Sequence, residues 1–156
     1  MPSVPHDLLR SISIFSALDS EDTIALAALA RELAYRKGDS IFLESDSAGD
    51  LYLVLTGVVE IFRQAPGDLR PVPLARLERG DVLGELSLLD GGRRSASASA
   101  AVTPETRLAV WDAMAFRRYL QERPRAGLSI LSALLGQMGR RLRQTSELVH
   151  TLVRAL

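Results

Sequence analysis

The sequence contains no cysteine, which excludes thiolate nucleophiles, disulfide frameworks and Cys-ligated zinc or iron–sulfur sites. Its two histidines, His6 and His150, stand near opposite ends of the chain, too far apart to suggest a His-rich metal centre. Apolar runs are short as well. The longest, such as Leu51–Leu55 and Leu128–Leu135, fall well below the ~20 residues that cross a bilayer. The opening MPSVPHDLLR has no basic region followed by an apolar core, so no signal peptide is expected. A cytoplasmic protein with no membrane partner is the expectation. Also missing are a Gly-rich dinucleotide fingerprint, a phosphate loop ending in Gly-Lys-Ser/Thr and a nucleophile elbow. No Ser–His–Asp arrangement is expected from histidines so placed. These absences point away from an enzyme, a metal and a resident cofactor, and towards a binding module.

What is present suits one soluble domain. The 156 residues are 47% hydrophobic and 24% charged, as in ordinary globular proteins. The net charge is zero but uneven: residues 1–112 carry 11 basic and 17 acidic groups, residues 113–156 carry 8 and 2. Such a basic end can mark a nucleic-acid-binding tail; the plainer reading is an arginine-studded solvent face on a long helix.

Three blocks follow one another. In the first (residues 8–35), Asp19-Ser20-Glu21-Asp22 offers an N-cap and an acidic first turn. Ile24, Leu26, Leu29 and Leu33 then predict a helix that ends before Gly38. In the second (residues 36–111), short strands alternate with turn signals. The candidates are Ser40–Glu44, Leu51–Leu55, Val58–Arg63, Val72–Leu77, Val82–Leu83, Ser95–Val102 and Arg107–Trp111. Strands this short and regularly punctuated predict a β-barrel or jelly roll. In the third (residues 112–156), Asp112 caps a short helix to about Gln121, Arg123-Pro124 breaks it, and Pro124 opens a final helix towards Leu156.

That final helix carries the clearest period in the chain. Leu128, Leu131, Leu135, Met138, Leu142, Thr145, Val149, Leu152 and Leu156 are spaced alternately three and four apart, an a/d heptad seam. A small barrel is too short to cover the whole stripe, so a parallel homodimer through Leu128–Leu156 is expected; the other possibility is a helix packed wholly on its own barrel. Gly136 and Gly139 weaken the helix and suggest close approach of a neighbouring backbone.

Residues 80–96 hold the one dense polar constellation, GDVLGELSLLDGGRRSA. Gly84-Glu85-Leu86 follows a short strand and can open a single helical turn, Glu85–Leu89, ended by Asp90-Gly91-Gly92. Free N–H groups at such a start attract an anion, and Arg94 and Ser95 can add to the same contact. Glu85 suits a ligand that also presents a hydroxyl donor, as a sugar phosphate or nucleotide does. The alternative is a buried Glu85–Arg94 ion pair across a turn.

Gly84-Glu85-Leu86, with Arg94-Ser95-Ala96 nine residues beyond Glu85, resembles the phosphate-binding cassette of cyclic nucleotide-binding domains. Gly38-Asp39, Leu51–Gly57 and Gly80-Asp81 stand in the family's order. Residues 137–147 are similar to the central helix of the bacterial cyclic AMP receptors, the catabolite-activator family. The resemblance implies an α+β fold: a β jelly-roll barrel with an N-terminal helix and a long C-terminal dimerisation helix. It implies that Glu85 accepts the ribose 2′-hydroxyl and that the Gly84 and Leu86 backbone helps line the pocket. Arg94, Ser95 and the Ala96 backbone would hold the cyclic phosphate. Thr145 would contact adenine from the same subunit and Ser146 from its partner, with cyclic AMP, or else cyclic GMP, as ligand. Thr145 also falls at a d position, where its other reading is a polar residue fixing register. The doubled Arg93-Arg94 leaves two candidates for the phosphate, and spacing favours Arg94. With no recognition helix in the sequence, direct DNA binding is not expected. The expected function is a stand-alone sensor signalling through an effector protein, with a Crp/Fnr-type transcription regulator lacking its helix-turn-helix as the alternative.

Overall fold

A computed structural model describes residues 3–156; Met1 and Pro2, part of the stretch read for a leader, lie outside the described residues. The chain opens with α1 (His6–Arg10), a single 3-10 turn at Ser13–Phe15 and α2 (Ser20–Ala28). Asp19 caps α2, its carboxylate accepting the Asp22 N–H at 2.8 Å, as its sequence signal predicts. Eight strands follow: β1 (Arg31–Arg36), β2 (Ser40–Phe42), β3 (Leu51–Thr56), β4 (Val58–Arg63), β5 (Val72–Leu77), β6 (Val82–Leu83), β7 (Ser97–Ala101) and β8 (Glu105–Trp111). Between β6 and β7 lies α3 (Glu85–Asp90), and after β8 come α4 (Ala113–Glu122) and α5 (Pro124–Ala155).

The strands form two four-stranded sheets, ordered β1-β8-β3-β6 and β2-β7-β4-β5. Every pairing is antiparallel, and the two sheets face each other as a β jelly roll. The apolar run at Leu51–Leu55 follows from this position, because β3 is covered on both faces. Leu51, Leu53 and Leu55 join a core with the helices, around Trp111, Phe15 and Phe116. Tyr52 and Val54 join the core inside the barrel with Val59, Leu77, Leu108 and Val110.

The first block is less helical than its sequence suggests. Helix α2 stops at Ala28, and Arg31–Arg36, expected to continue it, is β1, paired with β8 from Arg31↔Val110 to Arg36↔Glu105. Alternating Leu33 and Tyr35 pack on the barrel core, and Glu32 pairs with Arg107 of β8. Cross-strand contacts with β8, far away in sequence, override the local helical spacing. At the other expected strand ends, β2 stops at Phe42 and β7 starts at Ser97, which leaves Ser95 and Ala96 in the loop that leads from α3.

Asp112 caps α4 as expected, accepting the Ala115 N–H at 2.9 Å, and Pro124 opens α5. Helix α5 turns Ala126, Gly127, Ile130, Leu134 and Gln137 onto the rest of the chain. Close backbone approach occurs at Gly127, where a Cβ would sit 2.7 Å from the Leu120 carbonyl oxygen. Gly136 and Gly139 do not have that role within the subunit: a Cβ there would meet only the Arg140 and Arg143 side chains. The heptad seam points elsewhere. Leu128, Leu135, Leu142, Val149 and Leu152 are exposed, so a helix packed wholly on its own barrel is not what the subunit builds.

Candidate functional site

Strand β6 is only two residues long, and the chain leaves it through Gly84 at φ 86°. A side chain there would be excluded twice, by the left-handed backbone and by space: its Cβ would fall 2.5 Å from Arg94 Nη1 and 2.8 Å from the Asp50 carbonyl oxygen. Gly84 thus starts α3 in the one direction that brings Glu85 beside the barrel mouth. Helix α3 ends at Gly91 in the left-handed conformation, and Arg117 of α4 ties it down by donating from Nε to the Leu88 carbonyl at 2.9 Å. The loop then returns Arg94 to the place that Gly84 leaves open.

Arg94 is 5% exposed. Its Nη1 donates to Ser87 Oγ at 2.8 Å and to the Gly84 carbonyl at 3.2 Å, and its Nη2 donates to the Asp50 carbonyl at 2.7 Å. The guanidinium also lies 4.4 Å from the centre of the Phe42 ring and 5.8 Å from that of Tyr52, a cation–π arrangement. All these partners are neutral. Among the described residues no carboxylate forms an ion pair with Arg94, and the Glu85–Arg94 pair considered from the sequence is not made. A buried charge without a counter-charge is costly, so this arginine is electrostatically matched to an anion.

Glu85, 7% exposed, pairs instead with Arg141 of α5, whose Nη1 donates to Glu85 Oε1 at 3.1 Å. Burial pushes the Glu85 carboxyl above its ordinary 4.5, opposed by Arg141, by its own backbone N–H and by Arg94. Helix α5 is keyed to the same place by its backbone-reading side chains. Gln137 accepts the Val82 N–H at 3.3 Å and donates to the Gly80 carbonyl at 2.9 Å; Arg141 Nη2 donates to the Val82 carbonyl at 2.7 Å. Residues 137 and 141 are one turn apart, so a single helix face satisfies both groups of the β6 edge.

These parts enclose a cavity of about 410 Å³, within the usual range for small-molecule sites. One end is polar, with Gly84, Glu85, Ser87, Arg94 and Ser95; Ile61, Leu74, Leu77 and Leu83 supply an apolar wall. Leu86 and Ala96 line it too, and Thr145 reaches it from α5. Seven of the eight residues singled out in the sequence are therefore brought together. Ser146 is not: it is exposed and outside the cavity. Arg93 is exposed, donating to the Ser45 carbonyl at 2.8 Å, which leaves Arg94 alone of the doubled pair at the cavity. Sequence reasoning missed Arg141, Gln137, Ser87 and Phe42. The i, i+4 spacing of Gln137 and Arg141 off the heptad seam was the available signal.

Residues 32–123 match the model of the cyclic nucleotide-binding domain. The chain belongs to that family. A CRP-like cAMP-activated global transcriptional regulator of Mycobacterium tuberculosis is 31% identical over 94% of this chain and 62% of its own length. The solved N-terminal domain of a transcriptional regulator from Streptomyces coelicolor is 34% identical, with a TM-score of 0.68 over 92% of this chain and 95% of that one. A cyclic nucleotide-binding domain from Methylobacillus flagellatus superposes with a TM-score of 0.79 at 26% identity, covering 93% of this chain and 80% of that one. The chain thus spans less than two thirds of the mycobacterial regulator. Among the described residues no helix is long and apolar enough to cross a membrane, and no group of acidic, His or Cys side chains could hold a metal ion.

Proposed function

We propose that this domain is a cytoplasmic sensor of cyclic AMP, without catalytic activity, that dimerises through Leu128–Leu156 and signals through an effector protein. The observation that carries the reading is Arg94, a buried guanidinium with neutral partners only, facing a nucleotide-sized cavity. In this reading Arg94, Ser95 and the Ala96 backbone hold the cyclic phosphate, Glu85 accepts the ribose 2′-hydroxyl, and Gly84 and Leu86 shape the cradle. Arg141 supports Glu85 as a carboxylate, the form that accepts.

Thr145 supports adenine as the base. Its hydroxyl proton goes to the Arg141 carbonyl at 3.0 Å, so its oxygen faces a ligand as an acceptor. An exocyclic amino group suits that acceptor; the 6-oxo group of guanine does not. Ser146 enters from the partner. With Thr145 at a d position, Arg141 is a g residue and Ser146 an e residue, positions that meet across a parallel helix pair. The partner's Ser146 would then lie beside Arg141 and so beside this subunit's cavity.

A second reading, a Crp/Fnr-type transcription regulator lacking its helix-turn-helix, is favoured by the mycobacterial and Streptomyces relatives, both transcriptional regulators. Salt-sensitive retention on DNA distinguishes it from the effector-protein reading. Calorimetric titration tests the ligand. Cyclic AMP should bind more tightly than cyclic GMP, and Arg94→Ala should cost about 1.5–3 kcal/mol of affinity. Arg93→Ala should cost much less, and equal losses at both positions would overturn the phosphate assignment.

A further inference from the structure

Strand β4 places Val59, Ile61 and Arg63 on one face, since alternate residues share a side of the sheet. Val59 lies in the barrel core and Ile61 packs against it; Ile61 and Arg63 both line the nucleotide cavity. Register puts Arg63 one residue beyond the Phe62↔Ser97 pair, at the end of β7 from which the Ser95-Ala96 loop departs. Arg63 is therefore a second arginine at the phosphate end. Unlike Arg94 it has a counter-charge: its Nε and Nη2 lie 2.9 Å and 2.7 Å from the same Glu44 Oε1. Glu44 is held in turn by its backbone, whose N–H donates to Ser97 Oγ at 2.8 Å. Beyond this pair lies a groove of about 570 Å³, lined by Glu44, Gln64 and Asp68 and sharing Arg63 and Leu74 with the cavity. The Glu44–Arg63 pair is part of the wall between the two.

Charge around the cavity can now be matched pair by pair. Arg141 is matched by Glu85 at 3.1 Å, with Asp81 farther off at 3.9 Å, and Arg63 by Glu44, which leaves Arg94 as the one cation lining the cavity with no carboxylate partner among the described residues. One uncompensated cation suits a monoanion, the state of a cyclic phosphodiester. A ring-opened nucleoside monophosphate carries about −1.5 to −2 charges near neutral pH.

We propose that Glu44 and Arg63 set ligand charge specificity: Glu44 holds Arg63 neutralised, so that the cavity favours cyclic nucleotides over the nucleoside monophosphates their hydrolysis yields. This rests on the cyclic nucleotide reading above. Glu44 acts as a positioning residue, through Arg63.

Titrations with cyclic AMP, 5′-AMP and the methyl phosphodiester of 5′-AMP test it. Glu44→Gln keeps the shape of the side chain and removes its charge, releasing Arg63. The variant should bind 5′-AMP about tenfold more tightly relative to cyclic AMP, the scale of one charge-assisted contact. The methyl diester is ring-opened yet a monoanion, and should gain nothing. In the Glu44→Gln, Arg63→Ala double variant the gain for 5′-AMP should vanish. A gain shared by all three ligands, or one that survives loss of Arg63, would overturn the proposal. So would unchanged selectivity in Glu44→Gln while the wild-type protein binds cyclic AMP. Failure of the wild-type protein to bind cyclic AMP at all would overturn both this proposal and the reading beneath it.

Discussion

The two halves of α5 have similar composition and opposite fates. From Pro124 to Arg141 the helix lies on its own subunit, burying Ile130, Leu134 and Gln137 and ending in the Arg141–Glu85 pair. From Leu142 onward every residue is exposed, including Leu142, Leu148, Val149, Leu152 and Val153. A periodic apolar pattern therefore says that a helix will be covered, and does not say by what. The inner half is covered on one face from within the chain, with its seam residues Leu128 and Leu135 still exposed, and should govern folding. The outer half extends past the barrel and, in the dimer proposed above, governs assembly. The cavity sits where they meet, with Arg141 and Thr145 four residues apart on either side of the boundary.

That division can be broken most severely in the inner half. Leu134→Ala removes a fully buried side chain and should lower the unfolding free energy by about 2–5 kcal/mol at any protein concentration. Leu152→Ala should cost the folded subunit less than about 0.5 kcal/mol, and its loss should show instead as easier dissociation on dilution. Denaturant titrations at two concentrations read both; equal, concentration-independent losses would erase the distinction between the halves.

Leu142→Arg places a charge in the seam at the boundary, where an unpaired buried charge is strongly unfavourable. Sedimentation should show monomer for the variant and dimer for the parent. A parent that sediments as monomer at tens of micromolar, with and without nucleotide, would remove the assembly role of the outer half.

A smaller effect is expected from Thr145→Ala combined with Ser146→Ala. Alanine favours the helix, so the fold should persist. The affinity loss should stay below that of Arg94→Ala, while preference for adenine over guanine nucleotides is lost. Unchanged preference with a mixed oligomeric state would make these residues register markers instead.

The smallest effect is a pH slope. Because burial raises the Glu85 carboxyl above 4.5, the folded protein keeps this proton after the unfolded chain has released it. Glu85 therefore lowers stability as pH rises through that window, and contributes no slope below it, where both states are protonated. Glu85→Gln lacks this slope. The difference in unfolding free energy between the two proteins should shift in the variant's favour as pH climbs above 4.5; a flat difference would mean that Arg141 offsets the burial completely.

Features with local causes could be read without the structure. Asp19 and Asp112 announced helix starts, Pro124 a helix first turn, and the glycines of the Gly84 and Gly91 turns bracketed α3. The cassette residues Gly84 to Ala96 are close in sequence, so their convergence at one cavity was readable from spacing and family resemblance. β1 was not, because Arg31–Arg36 is a strand only by virtue of β8, which lies at residues 105–111. Nor was Phe42 beneath Arg94, since a ring's place under a cation depends on where two distant strands stop.

The same division runs through the site. Turn chemistry, capping and the heptad spacing act over a few residues, and they specify the helix starts, the cassette and the spacing of the seam, but not β1. Tertiary structure decided which charges are matched. Glu85 and Arg141 are far apart in the chain, as are Glu44 and Arg63, yet each pair meets at about 3 Å, while Arg94 meets no carboxylate. Ion pairing depends on distances of a few ångström between side chains from separate elements, and no local spacing rule specifies those.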